Sequence, residues 1–170
     1  MSLISLILIL VVAVAGLALV RSLEGRSRGT GRRTGRVPQA LPVAAKKYFF
    51  SCAEGEFYET LKRALPAGYL TFPNVRLQDV FYITAKGEER RGVYSQFQDK
   101  HVDFLVVEVK DYRPVLGIEL DGPSRDRAEQ KYRDAVKEVV FRSAGLPLVR
   151  FRNEDKLSPS ALAVALGAYL

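Results

Sequence analysis

Disulfide-forming capacity is missing from this chain, which has a lone cysteine and a lone histidine. Cys52 cannot close an internal disulfide, and that fits a reducing compartment. A thiolate nucleophile wants a basic partner, and His101 is the sole imidazole available. A cysteine beside Ser51 at the start of a helix is more often a small packed residue than a nucleophile. Charge is absent from Leu3 to Val20, eighteen residues interrupted only by Ser5 and Gly16. Such a run just spans a hydrocarbon core of roughly 30 Å. The marks of a cleaved signal peptide are absent too, since nothing basic precedes Leu3 and no small-residue cleavage site follows Val20. Residues 1–20 are therefore expected to be a membrane anchor, with residues 3–20 in the bilayer.

Acid is nearly absent from residues 21–47, where Arg21, Arg26, Arg28, Arg32, Arg33, Arg36, Lys46 and Lys47 stand against Glu24. This Gly/Arg/Ser-rich linker accounts for the whole formal net charge of +7. Residues 48–170 are formally neutral, which weighs against tight nonspecific DNA binding by many phosphate contacts. Basic residues beside a membrane span stay on the cytoplasmic side and attract anionic lipid. The expected arrangement is a single-pass protein of the inner (cytoplasmic) membrane with its C-terminal domain in the cytoplasm. That domain, residues 48–170, is long enough for one core. It contains no internal repeat and no low-complexity segment.

Ser51-Cys52-Ala53-Glu54 has the pattern of a capping box, and Phe57, Tyr58, Leu61, Ala64 and Leu65 follow at helical spacing. Pro66-Ala67-Gly68 stops that helix. Tyr69–Leu77 reads as a strand, and Pro73 marks it as an edge or a bulge. Gln78–Lys100 reads as a loop with a helical turn. His101–Val109 and Val115–Asp121 are strands joined by a hairpin turn at Lys110–Arg113. Asp126–Ala144 is an amphipathic helix whose expected buried face is Tyr132, Ala135, Val136, Val139, Val140 and Ala144, closed by Gly145. Leu146–Phe151 is a nearly all-apolar strand of the buried kind. Ser158-Pro159 opens a last helix running to about Tyr169. The order predicts an α/β (α+β) fold with a mixed four-stranded sheet flanked by helices.

Two of these strands carry acids among apolar neighbours. Asp103 lies near the start of one, and Glu119 and Asp121 near the end of the next. In an antiparallel hairpin those positions meet at one end of the sheet. Clustered carboxylates hold hard divalent cations. An isolated buried charge costs several kcal/mol, so Asp103 needs a compensating partner such as a metal or an arginine. Glu119 fits a solvated sheet face equally well if no helix covers it. Asp121, ahead of Gly122-Pro123, fits turn chemistry as well as a site. Glu54 fits the capping box. His101 lies on the strand face of Asp103 and fits a structural role. Lys131, Arg133 and Asp134 fit a solvated helix surface.

Asp103 together with Glu119-Leu120-Asp121 resembles the acidic motif of the restriction-endonuclease-like, PD-(D/E)xK superfamily. The resemblance narrows to the domain of unknown function 2726 family, related to the very-short-patch-repair endonucleases. It is carried by Ala53-Glu54 with Phe57-Tyr58, by Lys100-His101-Val102-Asp103-Phe104, by Pro114-Val115-Leu116 with Ile118-Glu119-Leu120-Asp121, by Arg133-Asp134, and by Ala144-Gly145-Leu146-Pro147-Leu148. It implies an αβββαβ nuclease core and Mg²⁺-dependent hydrolysis of DNA or RNA phosphodiesters. Asp103, Glu119 and Asp121 would be the metal ligands, with Glu54 as helix acid. Lys131 would be the catalytic base partner, and Arg125 and Arg133 would contact phosphate. Arg125 stands about where related chains have a histidine, and arginine is no proton shuttle at neutral pH. The alternative is an inactive nuclease-fold module, binding nucleic acid or protein at the membrane.

Overall fold

A computed structural model describes residues 39–122 and 128–170. The expected membrane span, most of the linker and Arg125 lie outside them. Lys46–Leu170 form one compact unit, which carries the fold that follows. Among the described residues no helix is long and apolar enough to cross a membrane.

Helix α1 (Cys52–Ala64) begins with the reciprocal box its sequence promises. Ser51 Oγ accepts the Glu54 N–H at 3.3 Å, and Glu54 Oε2 accepts the Ser51 N–H at 2.8 Å. Strand β1 (Tyr69–Arg76) follows and forms a sheet edge, where Pro73 does no harm to the ladder. The stretch expected to be a loop holds a four-residue helix, α2 (Leu77–Val80), and a longer one, α3 (Gly87–Phe97). The apolar signal for α3 is too sparse to read by periodicity. Its one fully packed residue is Phe97, and stability at its start comes from Glu88 and Glu89 in the first turn.

Strands β2 (His101–Glu108) and β3 (Arg113–Asp121) form the hairpin, with β1 antiparallel to β2 and β2 antiparallel to β3. Helix α4 (Ala128–Ser143) then crosses to β4 (Leu148–Arg152), which lies parallel to β3. The sheet order is β1-β2-β3-β4, a mixed α/β architecture. A 3₁₀ turn (Asn153–Asp155) leads to α5 (Pro159–Leu166), capped by Ser158 and shorter than expected.

The pleat sends alternate residues to opposite faces. On the first face Phe104, Val106, Leu116, Ile118, Leu120 and Phe151 pack against Leu61 of α1 and Leu162 and Leu166 of α5. On the second face Leu105 and Val107 pack with Leu77, Phe97, and Val136 and Phe141 of α4. Gly117 belongs to this second face, and Phe141 fills the space its missing side chain leaves. A Cβ there would collide with the Phe141 ring.

The face α4 turns inward differs from the expected one. Tyr132 and Val139 are exposed, as are Ala135 and Ala144. Val136, Val140 and Phe141 point into the molecule, and Asp134 and Lys137 lie on the same inner side. Hydrophobicity alone misassigns this helix because the sheet beneath it is itself charged.

Candidate active site

The register of the hairpin pairs Phe104 with Ile118. One residue further along, it sets Asp103 across from Glu119, and cross-strand partners share a face. Both acids therefore belong to the second face, beneath α4. The Asp103 carboxylate also fastens the hairpin: its Oδ2 accepts the Leu120 backbone N–H at 2.8 Å. Glu119 is only 2% exposed and is the one buried charged residue among those described. The possibility of a solvated face at Glu119 is thus excluded, because α4 covers it.

The compensating charge comes from a residue the sequence reading passed over. Lys137 Nζ donates to Glu119 Oε2 at 2.6 Å, and the lysine is itself just 12% exposed. Lys131, the expected lysine, is exposed on α4. Six residues separate the two, which at 3.6 residues per turn puts them on different sides of the helix. The available signal was positional: Lys137 lies three residues after Asp134 and four before Phe141, on one stripe. Arg133 is likewise exposed on α4.

Arg150 is the second residue missed. It is the lone charge within Leu148–Phe151 and pairs in register with Glu119. Its guanidinium spans three acids: Nη1 lies 3.4 Å from Asp121 Oδ1 and 3.6 Å from Asp134 Oδ1, and Nε donates to Glu138 Oε1 at 3.0 Å. A charge inside an apolar strand carries the same information at Arg150 as at Asp103.

Glu54 stands apart from this group. Its carboxylate closes the capping box of α1, and α1 packs on the opposite, apolar face. His101 is exposed at the start of β2, and Cys52 is exposed at the start of α1.

Burial pushes the Glu119 carboxyl up to about 6 from its ordinary 4.5, against the pull of the Lys137 ammonium, and the nearby Asp103 charge pushes the same way. One Glu119 oxygen, Oε1, is buried without a hydrogen-bond partner. A carboxylate oxygen in that state leaves a coordination position for a hard cation open, and a second acid lies across the strand pair. Mg²⁺ is commonly held by one or two carboxylates together with waters and substrate phosphate, so this donor set fits it. Asp121, the expected third ligand, has its Oδ1 3.4 Å from Arg150 Nη1. Among the described residues no group of three or more His, Cys, Asp or Glu is arranged to hold a metal.

Residues 46–169 match the family model described as "Protein of unknown function (DUF2726)". No curated protein and no solved structure matches the chain.

Proposed function

Given that this chain belongs to the DUF2726 family, we propose that its domain is a restriction-endonuclease-like module that hydrolyses nucleic-acid phosphodiesters with a divalent cation. The observation that carries the reading is Glu119, buried across from Asp103, with Lys137 Nζ at 2.6 Å and one carboxylate oxygen unpartnered. Asp103 and Glu119 are the residues that would hold the cation. When bound, the cation supplies Lewis-acid stabilisation of charge on the phosphoryl oxygens.

The protein's own groups do the rest. Asp103, by accepting the Leu120 N–H, fixes the relative position of the two strands that bear the acids. Lys137 keeps Glu119 ionised at neutral pH despite its burial, and its ammonium is a donor placed beside the reacting region. Arg150 orients Asp121 and, by gripping Asp134 and Glu138 of α4, holds the helix that delivers Lys137. Lys137 thus takes the role that the family resemblance suggested for Lys131.

A second reading, a module that binds nucleic acid or protein without turnover, is favoured by one observation: Asp121 lies against Arg150, and among the described residues no three acids are arranged to hold a metal. Cleavage assays separate the two. The full chain in detergent is mixed with Mg²⁺ or Mn²⁺ and single- and double-stranded DNA and RNA. Cleavage lost in Asp103→Ala, Glu119→Gln and Lys137→Met, and kept in Lys131→Met, supports the enzyme. No cleavage, with no Mn²⁺ binding by calorimetry, leaves only the binding module.

We also propose that residues 3–20 anchor the protein in the inner membrane and that residues 21–47 lie against anionic lipid on the cytoplasmic side. Deleting residues 1–20 should release the protein to the soluble fraction. Retention in the membrane fraction would discard the anchor.

A further inference from the structure

The folded domain begins with three aromatic residues in a row, Tyr48-Phe49-Phe50, preceded by Lys46 and Lys47. The fold uses only one of the three rings for its core. Phe50 turns toward the first face of the sheet, where its ring centroid lies 5.1 Å from that of Tyr58 and 6.3 Å from that of Phe104. Phe49 stands edge-on to Phe50 at 5.0 Å and stays 65% exposed. Tyr48 is 70% exposed. Phe50 thus pins the segment to the domain and holds its two neighbours out toward solvent.

Single exposed apolar side chains are ordinary, but adjacent large ones rimmed by charge mark an interaction surface. The rim here is mostly basic. Lys46 and Lys47 are exposed, and Lys47 Nζ lies 5.3 Å from the centre of the Tyr48 ring. Arg63 joins Tyr48 and Phe49 along the open groove between this segment and α1. Of the two acids in that groove, Glu56 and Glu59, the second is paired with Lys62 at 2.9 Å. A phenylalanine, a tyrosine and lysines grouped in this way suit the boundary between lipid head groups and acyl chains. There the rings are buried, while the phenol hydroxyl and the ammonium groups stay among phosphates. Position in the chain selects lipid over a protein or a nucleic acid. The group directly follows the basic residues 21–47, which follow the apolar run of residues 3–20. A bilayer that holds the apolar run stands at high effective concentration for whatever is tied to it.

We infer that Tyr48 and Phe49, with Lys46 and Lys47, dock the folded domain onto the surface of an anionic phospholipid bilayer, which deepens and rests on the membrane-anchor reading. The two rings enter the interface, and the two ammonium groups meet lipid phosphates. Docking of this kind gives the domain one orientation. Phe49 touches Phe50, Phe50 belongs to the first face, and α4 covers the second. The bilayer therefore lies on the Phe50 side of the sheet. The second face, with Asp103 and Glu119, is turned away from it, toward substrates in solution.

The chain contains no tryptophan, so Phe49→Trp places a lone reporter at the docking point. Tyr82→Trp places one elsewhere, at a residue 89% exposed whose neighbour Phe81 packs on Phe141 of the second face. Each full-length chain is reconstituted into vesicles of phosphatidylcholine with phosphatidylglycerol, with plain or brominated acyl chains, and into vesicles of phosphatidylcholine alone. Flotation reads the attachment, and emission reads the docking. In anionic vesicles the position-49 reporter should shift to the blue and lose most of its emission to brominated lipid, while the position-82 reporter keeps its own. Each lysine near an anionic surface is worth about fivefold, so Lys46→Gln with Lys47→Gln should lower the ratio of docked to undocked domain about thirtyfold. Cys52, exposed three residues beyond Phe49, carries an environment-sensitive maleimide dye in the wild-type chain and gives the same readout should Phe49→Trp fail to fold. Chains that float while the position-49 reporter and the Cys52 dye are quenched no more than the position-82 reporter overturn the docking and leave the anchor. Flotation and position-49 quenching that both survive deletion of residues 1–20 uphold the docking and discard the anchor. A blue shift that follows protein concentration and ignores lipid charge assigns the two rings to a second copy of the chain and overturns the docking.

Discussion

Phe104 and Glu119 lie on neighbouring strands at almost identical burial, 1% and 2% exposed. They point to opposite faces of one sheet, and the two faces solve burial differently. On the Phe104 side, α1 and α5 close over hydrocarbon, and Phe57 and Tyr58 pack their rings around Phe104. On the Glu119 side, α4 brings Lys137 and a ladder of acids to Arg150, beside a smaller apolar cluster. Hydrocarbon packing needs no orientation and no partner of opposite sign. A buried ion pair needs both, and it holds little net stability in return. Such a pair is weak evidence of stability, and the proposed cation chemistry would give it a use, with the apolar face supplying the larger share of the core.

The largest effect should come from the apolar face. Phe104→Ala leaves a cavity amid three aromatic neighbours and should cost about 4 kcal/mol, read by urea unfolding. A loss below about 1 kcal/mol would mean that the face collapses freely and is no firmer than its opposite. On the charged face, Lys137→Met removes one partner of a buried pair and should cost about 3 kcal/mol at pH 7. Its cost should shrink on acidification, because protonation removes the uncompensated charge on Glu119. No acidification of a solution makes Phe104→Ala less costly, and that contrast is the sharpest separation of the two faces.

Legibility in the sequence divides along the same line. The first face obeys hydrophobic periodicity, so α1, the hairpin and β4 are readable to within two residues at their ends, and Ser51 and Ser158 mark their helices by chemistry alone. Asp103 and Glu119 are readable as a pair because each breaks an apolar run. Helix α4 is not readable in the same way. Its inward stripe includes Lys137 and Asp134, and a rule that turns charges outward assigns Tyr132 and Val139 to the interior instead. Only the charge already on the sheet explains the exchange, and that charge comes from strands distant in sequence. Arg150 was legible in principle, as a lone cation in an apolar strand. Its partners were not, since Asp121, Asp134 and Glu138 meet it only after the α4 crossover. Helix α3 escaped for a simpler reason, having few apolar residues to set a period.

Titration gives the next smaller effect. Glu119 has a folded value of about 6 against an ordinary 4.5. Between those values the native state holds a proton that the unfolded chain has released. This group therefore contributes its full stability below about pH 4.5, and that contribution is lost as pH rises through about 6. The loss amounts to about 2 kcal/mol. Metal-free unfolding of wild type and Glu119→Gln across this range isolates it, because the other carboxylates titrate in both proteins. The stability of wild type relative to the variant should fall as pH rises from about 4.5 to about 7. A difference independent of pH would show that Lys137 fully offsets burial.

The smallest effect concerns Glu54, which sits at the start of the helix on the apolar face and has a structural task that accounts for its carboxylate. Its Oε2 accepts the Ser51 N–H, and Ser51 Oγ accepts the Glu54 N–H. Glutamine retains an acceptor oxygen at the same reach, so Glu54→Gln should move stability by only a few tenths of a kcal/mol, whereas Ser51→Ala should cost about 1 kcal/mol. If the apolar face is purely structural at this point, Glu54→Gln also leaves cleavage unchanged, while Glu119→Gln, the same loss of charge on the other face, abolishes it. Cleavage falling in parallel in the two variants, with melting temperatures intact, would bring Glu54 into the reacting group. The division between a supporting face and a working face would then fail at the N-terminus of α1.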